Sequence, residues 1–293
     1  MALDYKAMLA RKISGAETEY DDKAVLLYAL GIGLGGDPMN RDELGFVYEK
    51  NLKAIPTFAT VVPPGRGGAV SGGESGGGMG GINFLMVVHG EQRLTIHKPL
   101  PARAALYSDT RTTDVIDKGP GKGALIVNET VLRLRDGGEK VATLSGTIFA
   151  RADGGFGGPS TGGPEPHPVP DQSPPSTEVA ITTRPDQALL YRLSGDRNPL
   201  HSDPDVAKAA GFPRPILHGL CTYGVACRAV MMAYCNYDPS LIRQFDVRFS
   251  APVFPGETIT TRMWKDGPTI SFDAVVKERN ATVLKNGLCV LAQ

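Results

Sequence analysis

The sequence predicts an α+β chain made of two units of one design, each a helix wrapped by an antiparallel sheet. Three observations carry that prediction: an internal echo at close to half the chain length, a glycine- and proline-rich break between the echoes, and alternating apolar runs after each helix. Leu-Leu-Tyr-Ala-Leu-Gly at Leu26–Gly31 returns as Leu-Leu-Tyr-Arg-Leu-Ser at Leu189–Ser194, 163 positions later. Leu94, Ile96 and Pro99 return as Val247, Phe249 and Pro252, 153 positions later. Each of these runs alternates like a strand and stops at a proline, which cannot donate to a ladder. Duplication accounts for both offsets.

The first unit is expected over residues 1–153 and the second over 176–293, with a linker at 154–175 rich in Gly, Pro, Ser and Thr. Within each unit the order reads helix first, then a meander of strands. In the second unit, Asp186–Leu193 reads as a short helix behind Pro185, a residue suited to a first helical position. The almost wholly apolar His218–Tyr234 reads as a helix buried on all sides. Strand runs follow at 244–250, 257–264, 269–278 and 281–291. Lys265-Asp266-Gly267-Pro268 and Lys285-Asn286-Gly287 carry turn chemistry. A second glycine-rich stretch, Gly65–Gly81, falls inside the first unit.

Composition limits the possible functions. With 31 basic and 31 acidic side chains the formal charge is zero, which argues against a phosphate-tracking nucleic-acid binder. No apolar run approaches the roughly 20 residues of a membrane span, and the start, Met-Ala-Leu-Asp-Tyr-Lys, lacks signal-peptide character. Cys221, Cys227, Cys235 and Cys289 match no zinc spacing and read as buried thiols of a reducing compartment. The ending Leu-Ala-Gln is no peroxisomal address. The expectation is a soluble cytoplasmic protein.

The densest polar cluster in an apolar neighbourhood is Ser194-Gly195-Asp196-Arg197-Asn198-Pro199-Leu200-His201. It sets a carboxylate, an amide and an imidazole within six residues on a loop stiffened by Gly195 and Pro199. Such a loop can aim Asp196 and His201 at one point for acid–base work, with Asn198 free to orient a partner. An Asx-turn with a satisfied histidine is the plainer reading. The duplication favours chemistry, because at the 163-residue offset the same positions of the first unit are Gly33, Gly35 and Pro38.

The run Tyr191–His201, followed by Ala207, resembles the signature of the R-specific enoyl-CoA hydratases (hydratase 2, MaoC-like). The likeness continues through Ala210-Gly211-Phe212 and Pro215–Gly224, and in the first unit through His89-Gly90-Glu91-Gln92, Ile96–Pro101 and Val115–Gly119. It is nearest to the two-unit, eukaryotic-type members. The resemblance implies a double hot-dog fold with the active site in the second unit. It implies reversible syn hydration of trans-2-enoyl-CoA to (3R)-3-hydroxyacyl-CoA, in fatty-acyl or sterol side-chain metabolism, with no metal or redox cofactor. It also implies an acyl-CoA substrate, no nucleic-acid or membrane partner, and a homodimer. Asp196 and His201 would hold one water between them, with Asn198 positioning it. Which of the two removes the water's proton stays open.

Water adds to C3 only if charge developing on the thioester oxygen is stabilised, and N–H groups at a helix start supply that. Gly219, at the head of the apolar helix, is the expected oxyanion donor. By the same resemblance His89, Gly90, Lys118, Arg197, Pro199, Leu200 and Phe249 contact the CoA thioester. His218 is expected to make a structural hydrogen bond, and His97 and His167 have no expected role. Gly31–Gly36 satisfies a dinucleotide fingerprint, but a helix precedes it. Gly73–Gly77 satisfies a nucleophile elbow without the flanking strand and helix. His201, Asp203 and His218 are not spaced as zinc ligands on one helical face. Gly65–Gly81 is too glycine-rich for a stable helix, so the first unit is expected to have lost its central helix and to admit long acyl tails. The competing readings are a dehydratase acting on acyl-carrier protein, a hot-dog thioesterase, and a non-catalytic acyl-CoA-binding subunit.

Overall fold

A computed structural model of the chain describes residues 3–63, 82, 86–170 and 173–292. Ten strands form a single antiparallel sheet in the order β1-β3-β4-β5-β2-β7-β10-β9-β8-β6. The first unit supplies β1 (Lys12–Tyr20), β2 (Val87–Ile96), β3 (Ala104–Asp117), β4 (Ala124–Leu134) and β5 (Lys140–Ala150). The second supplies β6 (Thr177–Thr182), β7 (Ile242–Phe249), β8 (Thr258–Asp266), β9 (Thr269–Val276) and β10 (Ala281–Leu291). The helices are α1 (Tyr5–Leu9), α2 (Asp22–Gly31), α3 (Arg41–Val47), α4 (Gln187–Tyr191), α5 (Pro204–Ala209) and α6 (Gly219–Tyr234). The expected sheet-around-helix design is present, with one difference: the two sheets are fused edge to edge through β2 and β7. Joining them removes two sheet edges whose N–H and C=O groups would otherwise lack partners.

The junction bears out the internal repeat. Across β2 and β7, Arg93 lies opposite Asp246, its own counterpart at the 153-residue offset. Gln92 faces Val247 and Leu94 faces Phe245 on either side. The pairing is symmetric about Arg93–Asp246, so a pseudo-two-fold axis runs through that pair. The helix echo obeys the same symmetry: Tyr28 of α2 and Tyr191 of α4, related by the 163-residue offset, bring their rings to 5.9 Å. Both rings are buried in the main core.

Two local expectations are corrected. A strand precedes the repeated helix of each unit: β1 comes before α2, and β6 before α4. Both are the outermost strands of the sheet, and β6 fully buries only Ile181, so their alternation is weak in the sequence. Lys285-Asn286-Gly287 makes no hairpin turn. It is a bulge inside β10, with Asn286 at φ 54° and the register slipping between Lys285 and Leu288. Glycine is required there because a Cβ at Gly287 would run into Phe272. The 154–175 linker is fastened to the sheet. Gly155 and Gly157 donate backbone N–H bonds of 2.7 Å to the Asp117 carboxylate, which also takes Gly119 N–H at 2.8 Å. These donors, Gly155 foremost, hold the Asp117 carboxyl below the ordinary carboxylate range. Further along, Arg93 donates to Glu165 O, Asn286 to His167 O, and the Trp264 indole to Ser173 O, each at 2.8 Å.

Gly65–Gly81 and the Gly73–Gly77 motif lie outside the described residues. Just before them, the buried 3₁₀ turn Pro56–Thr60 packs against α6. Pro56 is the counterpart of Gly219, the first residue of α6, at the 163-residue offset.

The Gly31–Gly36 stretch begins on the last residue of α2 and is docked on α4 and α6. Gln187 Nε2 donates to Gly31 O at 2.6 Å and Arg228 Nη1 to Gly33 O at 2.7 Å. Gly35 N–H donates to Glu43 at 2.8 Å, and Glu43 is paired with Arg228 at 2.5 Å. Gly33 and Gly35 have φ of 88° and 74°, which L side chains rarely adopt. The positions that carry polar groups in the second unit thus serve in the first as a clamp on the central helix. The Glu43 side chain is 2% exposed, so Arg228→Ala strands a buried charge. It is expected to lower stability by about 3–5 kcal/mol; a denaturation midpoint unchanged from the parent would contradict this.

Candidate active site

The loop between α4 and α5 is built from its own short hydrogen bonds. Gly195, at φ 120°, turns the chain out of the 3₁₀ turn Arg192–Ser194. Asn198 N–H then donates to Asp196 Oδ1 at 3.1 Å, and Asn198 Oδ1 accepts Leu200 N–H at 3.0 Å, capping the turn Pro199–His201. The Asx-turn reading is therefore realised, and so is the convergence: polar atoms of Asp196, His201 and His218 lie within 4.8 Å of one another. The oxygen of the Asn198 side chain is occupied with the cap, which leaves its NH₂ to face other groups.

Two histidines lie stacked at the centre. The rings of His201 and His218 are 3.7 Å apart with planes 26° from parallel, and the Tyr191 ring sits 4.9 Å from that of His218. His201 Nδ1 bonds to Ile216 O at 2.9 Å, and His218 Nε2 to Asp196 O at 3.1 Å. Because a carbonyl only accepts, His201 carries its proton on Nδ1 and His218 on Nε2, leaving His201 Nε2 as a lone pair. The near-parallel planes also keep the two in-plane lone pairs from converging on one cation, so closeness alone does not make a metal centre. Asp203, weighed in the sequence as a zinc ligand, instead caps α5 by accepting from Asp205 and Val206 N–H.

Burial sets the charges. It raises the Asp196 carboxyl above the ordinary carboxylate value, and the nearby His201 works against that rise. Burial lowers His201, and it lowers His218 to about 2, with His201 adding to the second effect. The sign of the stability effect follows. Below the free histidine value of 6.5 the unfolded chain takes up a proton that folded His218 refuses, so stability is lost as pH falls from 6.5 toward 2. The limiting slope is about 1.4 kcal/mol per pH unit for one such group; His201 acts in the same direction and Asp196 in the opposite one. The melting temperature is expected to fall between pH 7 and pH 5, and less steeply in His218→Gln. Equal slopes in the two proteins would refute the neutral, buried imidazole.

At the head of α6 the N-cap His218 offers no side-chain cap, while its carbonyl takes Cys221 and Thr222 N–H at 3.0 and 3.1 Å. The Gly219 N–H precedes those bonds. A Cβ at Gly219 would meet the Phe249 ring at 3.3 Å, and Phe249 in turn lies 4.8 Å from the His89 ring. The structure therefore joins His89 of the first unit, Phe249 of β7 and Gly219 in one continuous contact. Gly90 forms a bulge in β2, where the register with β5 slips between His89 and Glu91. Arg197 and Pro199 are exposed and Leu200 is half-buried on the same loop. Lys118 is exposed at the end of β3, on the same end of the sheet as Val87 but three strands from β2, roughly 14 Å at strand spacing. Sequence reasoning missed the Ile216 carbonyl, which fixes the His201 tautomer, and the Tyr191 ring against His218. Both lie inside the quoted signature, but backbone acceptors leave no mark on residue type.

A ten-stranded sheet around a buried helix, with a polar Asp–His loop in the second unit and Gly33, Gly35 and Pro38 at the matching positions of the first, defines a double hot-dog protein. Residues 168–286 match the MaoC-like domain and residues 18–152 the MFE-2 hydratase 2 N-terminal domain. The chain is 40% identical to the peroxisomal enoyl-CoA hydratase 2 of Arabidopsis thaliana, over 94% of this chain and 92% of that one. It is 39% identical to an enoyl-CoA hydratase of Mycobacterium tuberculosis, over 98% of each. The crystal structure of a MaoC-like dehydratase from Phytophthora capsici superposes with a TM-score of 0.85 at 34% identity, covering 99% of this chain and 98% of that one. The chain belongs to the MaoC-like hydratase 2 family.

Proposed function

We propose that this protein is an R-specific enoyl-CoA hydratase, a hydro-lyase that adds water reversibly to trans-2-enoyl-CoA and yields (3R)-3-hydroxyacyl-CoA. The observation that carries the reading is the convergence of Asp196 and His201, whose polar atoms lie within 4.8 Å on one loop. One water spans such a gap with a hydrogen bond to each group. In the forward direction the water oxygen bonds to C3 as the C2–C3 π pair moves to C2. One proton of the water passes to the Asp196–His201 pair, and a proton returns from the pair to C2 on the same face. The thioester oxygen, negative in the transition state, accepts from Gly219 N–H at the positive end of α6.

His89 and Phe249 wall the approach to Gly219, and the Asp196–His201 loop bears Arg197, Pro199 and Leu200 toward the CoA moiety. Lys118, at the sheet end, suits the phosphates of CoA. The N-terminal unit, to about residue 153, contributes contacts to the tail and to CoA, and the unit from 176 onward performs the chemistry. The reaction needs no cofactor beyond the CoA of the substrate. Among the described residues no helix is long and apolar enough to cross a membrane. A homodimer working in the cytoplasm completes the reading, to be tested by sedimentation and by cell fractionation, since the Arabidopsis relative is named as peroxisomal.

The reading is tested with crotonyl-CoA. Hydration removes the enoyl thioester absorbance without releasing thiol. Release of thiol would establish a thioesterase instead, and no change in either signal would establish a binding subunit.

A further inference from the structure

His218 touches both members of the proposed acid–base pair and heads the helix that begins at Gly219. Its backbone carbonyl starts α6 by accepting from Cys221 and Thr222, and so sets the direction of the Gly219 N–H. Its Nε2–H holds the backbone carbonyl of Asp196 at 3.1 Å, from 22 residues away in the chain. Its ring is the floor on which the His201 ring lies, 3.7 Å below it. His218 is 2% exposed, and its Nδ1 is buried with no hydrogen-bond partner. A buried imidazole with an unpaired nitrogen is an expensive way to fill space, and an apolar side chain would fill it without that penalty. What an apolar side chain cannot supply is the donor to Asp196.

We infer that His218 is the positioning residue of this site: its Nε2–H bond to the Asp196 backbone sets the carboxylate at the distance from His201 that one water spans. The inference rests on the activity proposed above. The reason for a large effect is geometric. The Asp196 loop is held by short bonds within itself and turns on Gly195, so its placement relative to α6 depends on contacts made from outside. A shift of about 1 Å in a reacting group lowers rate by about 100-fold.

The experiment compares three variants in crotonyl-CoA hydration. In Gln, Nε2 stands at the same number of bonds from Cβ as Nε2 of histidine, so His218→Gln keeps the donor to Asp196. In Asn the amide nitrogen matches Nδ1 instead, so His218→Asn loses that donor. His218→Phe keeps a ring under His201 and also loses it. The expected result is kcat within about 5-fold of the parent for Gln, and about 30- to 100-fold lower for Asn and Phe, with KM changed less than about threefold throughout. Melting curves establish that each variant is folded. Asn and Phe fail by different routes, so either one that folds suffices. Equal kcat across the three variants, high or low, overturns the proposal, as does loss of the fold in both Asn and Phe, which would mark His218 as structural only. The unaltered protein is the control. If it does not hydrate crotonyl-CoA, the proposed activity is what fails.

Discussion

Replacing Asp196 by asparagine is expected to lower the rate of hydration at least about 100-fold, the usual scale for a positioned acid–base group. Asparagine keeps an oxygen where Asp196 Oδ1 accepts the Asn198 N–H, so the turn survives while the proton acceptor is lost. His201→Ala is expected to lower the rate by as much. From the sequence alone both residues lie on a loop, and neither change should disturb folding. The structure alters that for His201, which is 9% exposed, stacked on His218 and bonded to Ile216. Its removal takes the partner from the half-buried Ile216 carbonyl, which destabilises by about 1 kcal/mol. The Asp196 variant is therefore the cleaner test of chemistry, read as kcat at an unchanged melting temperature. Full activity in it would remove the carboxylate from the mechanism.

The second large effect is expected at Gly219, where one backbone N–H can be deleted without breaking a helix. Proline is favoured at the first position of a helix, where its missing N–H has no intrahelical partner. It requires an extended residue before it, and His218 already has φ −58° and ψ 135°. Gly219→Pro therefore removes the proposed oxyanion donor and leaves α6 able to form. The expected loss is about 100- to 1,000-fold in kcat, the range found when one such donor is removed. Gly219→Ala keeps the N–H and sets a methyl 3.3 Å from the Phe249 ring, so its loss should be much smaller. Similar losses in the two variants would mean that space beside Phe249, and not the N–H, is what the site requires.

Much of the site was legible because the chain writes it locally. Asp196, Asn198 and His201 fall within six residues, and Gly219 heads a helix whose apolar character is unmistakable. The duplication was legible for a related reason: the helix echo keeps Tyr28 and Tyr191, whose rings meet, and the strand echo begins beside the Arg93–Asp246 pair on the pseudo-two-fold axis. What the sequence concealed depends on contacts between distant segments. Nothing near His89 announces Phe249, 160 positions away, because each reads as an ordinary strand residue. The outer strands β1 and β6 escaped notice because an edge strand buries too little of one face to enforce alternation. The Asn286–Gly287 pair was misleading in its own way, since residues that tolerate left-handed backbone suit a bulge as well as a turn.

The central claim is that one water, held on one face of the double bond by Asp196 and His201, supplies both the oxygen at C3 and the hydrogen at C2. Hydration of crotonyl-CoA in deuterated water tests it most directly, with the configuration at both carbons of the product determined by NMR. The account predicts R configuration at C3 and one deuterium at C2, on the same face as the new hydroxyl. An S centre at C3, or deuterium at C2 on the opposite face, would contradict it.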